Sequence, residues 1–376
     1  MSKNEVLRKL CPLIRITNTY YNVTSGVCQK VSIAARRASQ MATQGGYMDG
    51  YRGIVPTKGR MELETFIVQE PTEDEIFIRT RKTLISPGTE RAFFLGLPNT
   101  TSNYPIYPGY NLVGEVVQVG SEVTDYQPGE RVVCQGQHAS HVVMKAERCL
   151  HISSDLPDDE AIFFQLLAIA TQGVRKSGLE IGEATAIIGA GPVGLLSLQV
   201  ARLAGAMPLM VIDKEAQRLS KAGELGADIT LTTGADLRKS IQDALGADGV
   251  PVVIEVTGDP EAIPVAFQIA ALRGRVVLLG SARGETEHVN FYRDVHKKGL
   301  TIVGAHIDTT RMVTTSSPHW RTQRDEQRLA LKMLTLGRVN VSSLVSHRFS
   351  GEQLPDAYAL LASWDPRALA ILIDWL

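Results

Sequence analysis

The 376-residue sequence is short of cysteine, of net charge and of long apolar runs. Its four cysteines (Cys11, Cys28, Cys134, Cys149) form no C-x-x-C pair, which excludes a disulfide framework and a zinc finger or ribbon and fits a reducing, cytoplasmic setting. Lysine and arginine number 39 against 40 aspartates and glutamates, so no charge excess points to nucleic acid or to an anionic membrane surface. Apolar stretches such as 184–198 are broken by glycines and a proline before reaching the roughly 18 residues that a membrane helix requires. What remains, 44% hydrophobic and 21% charged, is a globular composition able to build a core. At roughly 100–200 residues per domain, this length predicts two domains.

Residues 1–40 stand apart. They carry seven basic side chains (Lys3, Arg8, Lys9, Arg15, Lys30, Arg36, Arg37) and one acid, Glu5, so a positive tail precedes a negative body. The stretch lacks a secretory h-region, and its basic, acid-poor composition is that of a disordered extension or of a transit peptide for organellar import. A translation start at Met41 is a further reading.

From 52 to 142 short β-like runs (52–55, 60–68, 75–84, 112–119, 131–134, 141–144) are separated by Pro-Gly turns at 87–88, 108–109 and 128–129. A helix is expected over 161–176. Beyond 183, apolar strands (252–255, 275–279, 300–303) alternate with amphipathic helices (236–244, 262–271, 323–336), the pattern of a parallel sheet with helices on both faces. The clearest unit runs from a strand at 185–188 through Gly189-Ala190-Gly191-Pro192-Val193-Gly194 into a helix over 193–205, then a strand over 208–212 ending at Asp213. The first glycine permits the tight turn, the second lets a pyrophosphate approach the backbone, and the third lets helix and strand pack. The acid 19 residues after Gly194 fits a ribose-hydroxyl acceptor, which favours NAD over NADP, while Lys214 and Arg218 keep NADP in play. The loops holding Thr257, Gly280 with Ser281, and His306 follow later strands and belong at the carboxyl edge, where the nicotinamide falls. A last strand, 369–375, is expected to return to the β-rich part.

This order of parts resembles the medium-chain dehydrogenase/reductase superfamily. The resemblance runs from about residue 51 to the end and is carried by Pro87-Gly88-Thr89-Glu90 with Gly96, by 108–114 (PGYNLVG), by 128–132 (PGERV), by the glycine loop and by 224–228 (ELGAD). It implies an α/β fold in which a GroES-like catalytic domain (51–175) precedes a Rossmann domain with a doubly wound parallel sheet (176–307), residues 308–376 returning to the first and 1–50 forming the extension. It implies homodimers or homotetramers joined at the dinucleotide domain's edge. Zinc-dependent members carry Cys-Gly-Thr-Asp-x-His, then Gly-His-Glu, then a Glu or Cys on the following helix. Here those positions read Pro87, Ala92, Tyr110, Asn111 and Gln165, a set without thiolate, imidazole or carboxylate, so no zinc is expected. The segment 85–91 (ISPGTER) is similar to the branch containing bacteriochlorophyllide 2-hydroxyethyl dehydrogenases, which implies oxidation of a secondary alcohol without zinc.

Hydride transfer from an alcohol also requires removal of the hydroxyl proton. Tyr110 at a former ligand position is the candidate, relaying the proton if its pKa were lowered by the nicotinamide, with Thr89, Asn111 and His306 as further candidates for catalysis. Thr171 matches a family position that touches the nicotinamide. Glu90 matches the family acid beside the metal and is read as structural, as are His138 and His141. Arg311, His319, Arg321 and Arg324 around Trp320 fit a polar or anionic small-molecule substrate or a solvated helix start. Three functions follow: an NAD(H)-dependent alcohol dehydrogenase without zinc, a zinc-free enone or quinone double-bond reductase, and a dinucleotide-binding protein without catalysis.

Overall fold

The computed structural model describes residues 48–101, 103–310 and 321–376, together with the backbone of three short strands before them. The chain divides into two compact units, Met1–Asp49 and Gly50–Leu376. In the first, β1 (Ile14–Ile16), β2 (Thr19–Asn22) and β3 (Gln29–Val31) pair antiparallel, with Ile14 opposite Tyr21 and Tyr20 opposite Val31. These strands lie inside the stretch read from composition as an extension.

Next along the chain is a hairpin, β4 (Met48–Thr57), which lies in the second unit from Gly50 on, and β5 (Arg60–Val68). There follow β6 (Glu75–Ile85), α1 (Pro87–Phe94), β7 (Leu112–Val119), β8 (Arg131–Cys134), β9 (His141–Lys145), β10 (Cys149–His151), α2 (Asp158–Ala161) and α3 (Phe164–Lys176). The alternating part is β11 (Thr185–Ile188), α4 (Pro192–Leu203), β12 (Leu209–Asp213), α5 (Ala216–Glu224), β13 (Ile229–Thr232), α6 (Leu237–Leu245), β14 (Val250–Glu255), α7 (Ala262–Ile269), β15 (Ala270–Leu278) and β16 (Thr301–Gly304). The chain ends with α8 (Gln323–Thr335), β17 (Val345–Ser350), α9 (Leu354–Ser363) and β18 (Ala370–Asp374).

The six alternating strands form a parallel sheet in the order β13-β12-β11-β14-β15-β16, the doubly wound dinucleotide arrangement. Its central strand β11 is buried at all four residues, as a strand covered by helices on both faces must be. Of the six strands, β13 was not singled out by pattern. It lies near the sheet's edge and its burial alternates between half-buried and exposed, so no continuous apolar run marks it. In the β-rich sheet, β18 returns as expected, pairing antiparallel with β6 and parallel with β17.

α1 was not foreseen, because Pro87-Gly88 reads as a turn. Proline is well placed in a helix's first turn, where its missing N–H costs no bond, and the segment winds into eight helical residues. The largest core runs through both sheets, joining Leu84 and Val113 to Leu195 and Ile254 through Phe164 and Leu167 of α3. That helix is consequently buried along almost its whole length.

Candidate active site

The glycine loop connects β11 to α4. A side chain at Gly194 would meet the Gly189 carbonyl oxygen at 1.9 Å, so helix and strand pack as closely as they do only because no Cβ intervenes. At Gly191 an added Cβ would meet nothing within 4 Å. That open space lies at the N-terminus of α4, where Gly191 is the N-cap, no side chain caps the helix and Pro192 occupies its first turn. Unfilled backbone N–H groups and the positive end of the helix dipole suit the pyrophosphate of a dinucleotide. The donor set therefore fits such a cofactor.

Asp213, the last residue of β12, is buried and tied to this loop. Its Oδ2 accepts the Ala190 N–H at 2.6 Å and its Oδ1 accepts the Glu215 N–H at 2.8 Å. A carboxylate offers about four lone-pair sites, so acceptor capacity remains for ribose hydroxyls. Lys214 and Arg218 both lie over the ring of Trp364, whose other cation is Arg91 from α1. Thr257 abuts Gly189 and donates its N–H to Glu255 Oε1 at 2.6 Å, and Gly280 packs against the Gly258 N–H, which brings the loops after β14 and β15 together. Burial pushes the Glu255 carboxyl up. Ser281 touches Gly258 in the same corner. Thr171, on α3, spends its hydroxyl proton on the Leu167 carbonyl at 2.7 Å.

A cavity of about 180 Å³ lies in the β-rich half, walled by Thr89, Glu90, Phe93, Tyr107, Tyr110 and Tyr358 among others. Tyr110 is half-buried by area, yet its hydroxyl lies deep. Burial pushes its phenol well above the ordinary tyrosine range and the Glu90 charge adds to this, while hydrogen bonds from Ser86 and Thr89 pull the other way. The phenol is therefore protonated at any physiological pH, and the lowered pKa considered from sequence is not the state of the unliganded protein. Next to it, Asn111 is fully buried and neither amide atom has a hydrogen-bond partner.

Glu90 and Tyr358 of the cavity wall also belong to a hydrogen-bond network that spacing does not reveal. Glu90 Oε1 accepts the Ser86 N–H at 2.8 Å, while Oε2 meets His138 Nε2 at 2.7 Å and accepts the Tyr358 hydroxyl. On the far side of the imidazole, His138 Nδ1 meets Thr83 Oγ1 at 2.7 Å, and Thr83 Oγ1 accepts the Trp375 indole N–H at 2.9 Å. Glu90 and His138 are almost inaccessible to solvent. The sequence signal for this cluster was only the match of Glu90 to a family acid and a histidine read in a short strand at 138–141, neither of which names its partner.

The donor set at the family's zinc position does not fit the metal. Pro87, Ala92, Tyr110, Asn111 and Gln165 offer no thiolate, imidazole or carboxylate, and Gln165 Oε1 is occupied by the Gln327 amide at 2.7 Å. Among the described residues no three His, Cys, Asp or Glu side chains are grouped to hold a metal ion. His306 does not line the Tyr110 cavity. It is exposed on the loop after β16, where its Nδ1 accepts the Asp308 N–H at 3.3 Å. Of the basic segment, Arg311, His319 and Trp320 lie outside the described residues, Arg321 is exposed, and Arg324 donates to the Glu147 carbonyl.

Fold and site together define a dinucleotide-linked oxidoreductase. The family described as alcohol dehydrogenase GroES-like domain matches residues 72–162, and that described as zinc-binding dehydrogenase matches 192–319. Sorbitol dehydrogenase of Ovis aries is 25% identical over 341 residues, spanning 81% of this chain and 91% of the relative. A zinc-binding dehydrogenase of Sinorhizobium meliloti, solved with NADP, superposes with a TM-score of 0.72 at 24% identity, over 87% of this chain and 100% of the other. An alcohol dehydrogenase of Escherichia coli solved with NADH gives 0.75 at 18% identity, over 87% and 99%. The chain belongs to the medium-chain dehydrogenase/reductase superfamily, on its zinc-type alcohol dehydrogenase-like side, and is an oxidoreductase acting on CH–OH donors.

Proposed function

We propose that the protein is a zinc-independent, NAD(H)-dependent dehydrogenase/reductase that interconverts a secondary alcohol and a ketone. The observation that carries this reading is the pairing of an open glycine cradle at Gly191 with Tyr110, Asn111 and Gln165 at the positions where zinc-dependent members carry ligands. NAD is favoured because the Asp213 carboxylate sits at the end of β12 with acceptor capacity to spare, and it would repel a 2′-phosphate.

A bound dinucleotide supplies the hydride acceptor or donor. Gly189, Gly191, Pro192, Val193 and Gly194 hold its phosphates, Asp213 its ribose, and Thr171, Thr257, Gly280 and Ser281 flank the nicotinamide end. Tyr110, kept protonated by burial, donates a hydrogen bond to the substrate oxygen, with Thr89 in the same wall and the unpartnered Asn111 amide as a second neutral donor. His306, at the surface, is given no part in this step. Self-association through β16, a free edge of the sheet with Ile302 exposed, belongs to the same proposal.

The test is consumption of NADH and NADPH by metal-stripped protein against paired panels of ketones and enones, repeated with Tyr110→Phe. We expect ketone turnover with NADH, and a loss of kcat on the order of 10²-fold on removal of the phenol, the size expected for one donor to a developing oxyanion. Turnover of enones alone would replace the assignment with double-bond reduction. Cofactor binding with no turnover on either panel would leave a non-catalytic binding protein.

A further inference from the structure

Without a metal to acidify the alcohol, its hydroxyl proton needs an acceptor in the cavity wall, and the protonated Tyr110 phenol is a donor, not a base. Of the residues lining the cavity, Glu90 alone is a carboxylate. Its contacts have a direction. The Trp375 indole N–H can only donate, so it occupies a lone pair of Thr83 Oγ1 and leaves the Thr83 hydroxyl proton free to point at His138 Nδ1. His138 then carries its proton on Nε2 and gives it to Glu90 Oε2, to which Tyr358 also donates, while Ser86 N–H donates to Oε1. Every polar atom is satisfied with a carboxylate, a neutral imidazole and one proton between them.

We propose that Glu90 is the acid–base residue of the reaction and that His138 is a positioning residue that shares the proton Glu90 receives. The inference rests on the alcohol–ketone reading above. In oxidation the substrate carbon gives its hydride, with both electrons, to the dinucleotide, the hydroxyl proton passes to Glu90, and the C–O single bond becomes a carbonyl; reduction returns the same proton and hydride. The groups facing Glu90 are Tyr358 from α9, His138 from the segment before β9 and Tyr110 from the segment before β7, with Arg91 its neighbour on α1 and Arg283 acting on Tyr110. Among the described residues the ion-pair partner of Glu90 is His138, and neither arginine pairs with it.

The experiment measures kcat and KM for ketone reduction and alcohol oxidation between pH 5 and 10 in the wild type, Glu90→Gln and His138→Gln, with NADH affinity and thermal melting for each. Glutamine at 138 can still donate to Glu90 through its amide but cannot take up a proton. We expect kcat to fall roughly 100-fold or more in Glu90→Gln with KM within about threefold, the range for general acid–base catalysis. In His138→Gln we expect a fall of about tenfold, a displaced midpoint in the pH profile of kcat and unchanged NADH affinity. Folded variants that keep kcat within threefold of wild type and the same pH midpoint would overturn the proposal, leaving a structural network. Should Glu90→Gln fail to fold, the pH profile of His138→Gln decides. A wild type that binds NADH but turns over no alcohol or ketone would sink the underlying reading, and this proposal with it.

Discussion

The carboxylate of Asp213 accepts the backbone N–H of Ala190 at 2.6 Å, so the residue that ends β12 also holds the glycine loop in shape. The shape of the glycine loop thus depends on this side chain, and the proposed preference for NAD can be tested through it. Asp213→Ser removes an acceptor from two N–H groups, those of Ala190 and Glu215, and a buried donor left without a partner costs about 1–3 kcal/mol. We expect NADH affinity to fall at least tenfold with NADPH affinity falling less. Fluorescence titration of both cofactors checks this, and an unchanged preference would mean that Asp213 only braces the loop.

Substitutions at Gly191 and Gly194 should separate cofactor binding from folding. Gly191 has φ -75, which alanine adopts freely, and its absent Cβ faces open space, so Gly191→Ala should melt within about 2 °C of wild type while dinucleotide affinity drops at least tenfold. Gly194→Ala drives a methyl into the Gly189 carbonyl and should yield little folded protein. Paired melting curves and cofactor titrations give the comparison; equal melting temperatures for the two variants would contradict it.

Metal removal should change nothing. With no fitting donor set at the family's zinc position, the purified protein should carry well under one zinc per chain by elemental analysis, and dialysis against a chelator should leave both the cofactor affinity and the turnover rate as they were. Activity that disappears with chelation and returns with zinc would place a metal where none of these residues provides for it.

His141 sets an acid limit on stability. Burial, reinforced by Arg79, lowers its pKa from 6.5 to about 4, and its ring packs 5.5 Å from that of Phe77. Below pH 6.5 the unfolded chain takes up a proton that the folded chain refuses, so this contribution is complete above pH 6.5, declines as pH falls, and is exhausted near pH 4. Denaturant unfolding should show stability falling by up to a few kcal/mol across that window, and His141→Gln should flatten the slope there. A slope identical in the variant would assign the loss to other groups.

Much of the fold was legible because its signals are local. The strand at 185–188, the glycine turn and the following helix lie within twenty residues of one another, and β5, β7 and β8 occupy the residues their alternation and turn punctuation predict. Where pattern failed, the local signal was ambiguous. Pro87-Gly88 opens α1 instead of a bare turn, and β13 lacks the apolar run of a central strand. Tyr110 was singled out by its place in a motif, but its protonation state depends on how deeply its hydroxyl is buried and on the charge of Glu90, which no motif states.

The sequence by itself determined that this chain builds a dinucleotide cradle and that zinc's ligands are gone, since both rest on which residue types occupy short, contiguous motifs. Only the tertiary structure decided which groups meet around Glu90. Glu90 meets a histidine 48 residues away and a tyrosine 268 residues away, brought together when α9 and the last strands fold back onto β6. Hydrogen bonds between such distant groups are set by packing and by the exclusion of water around them, and no spacing along the chain encodes either.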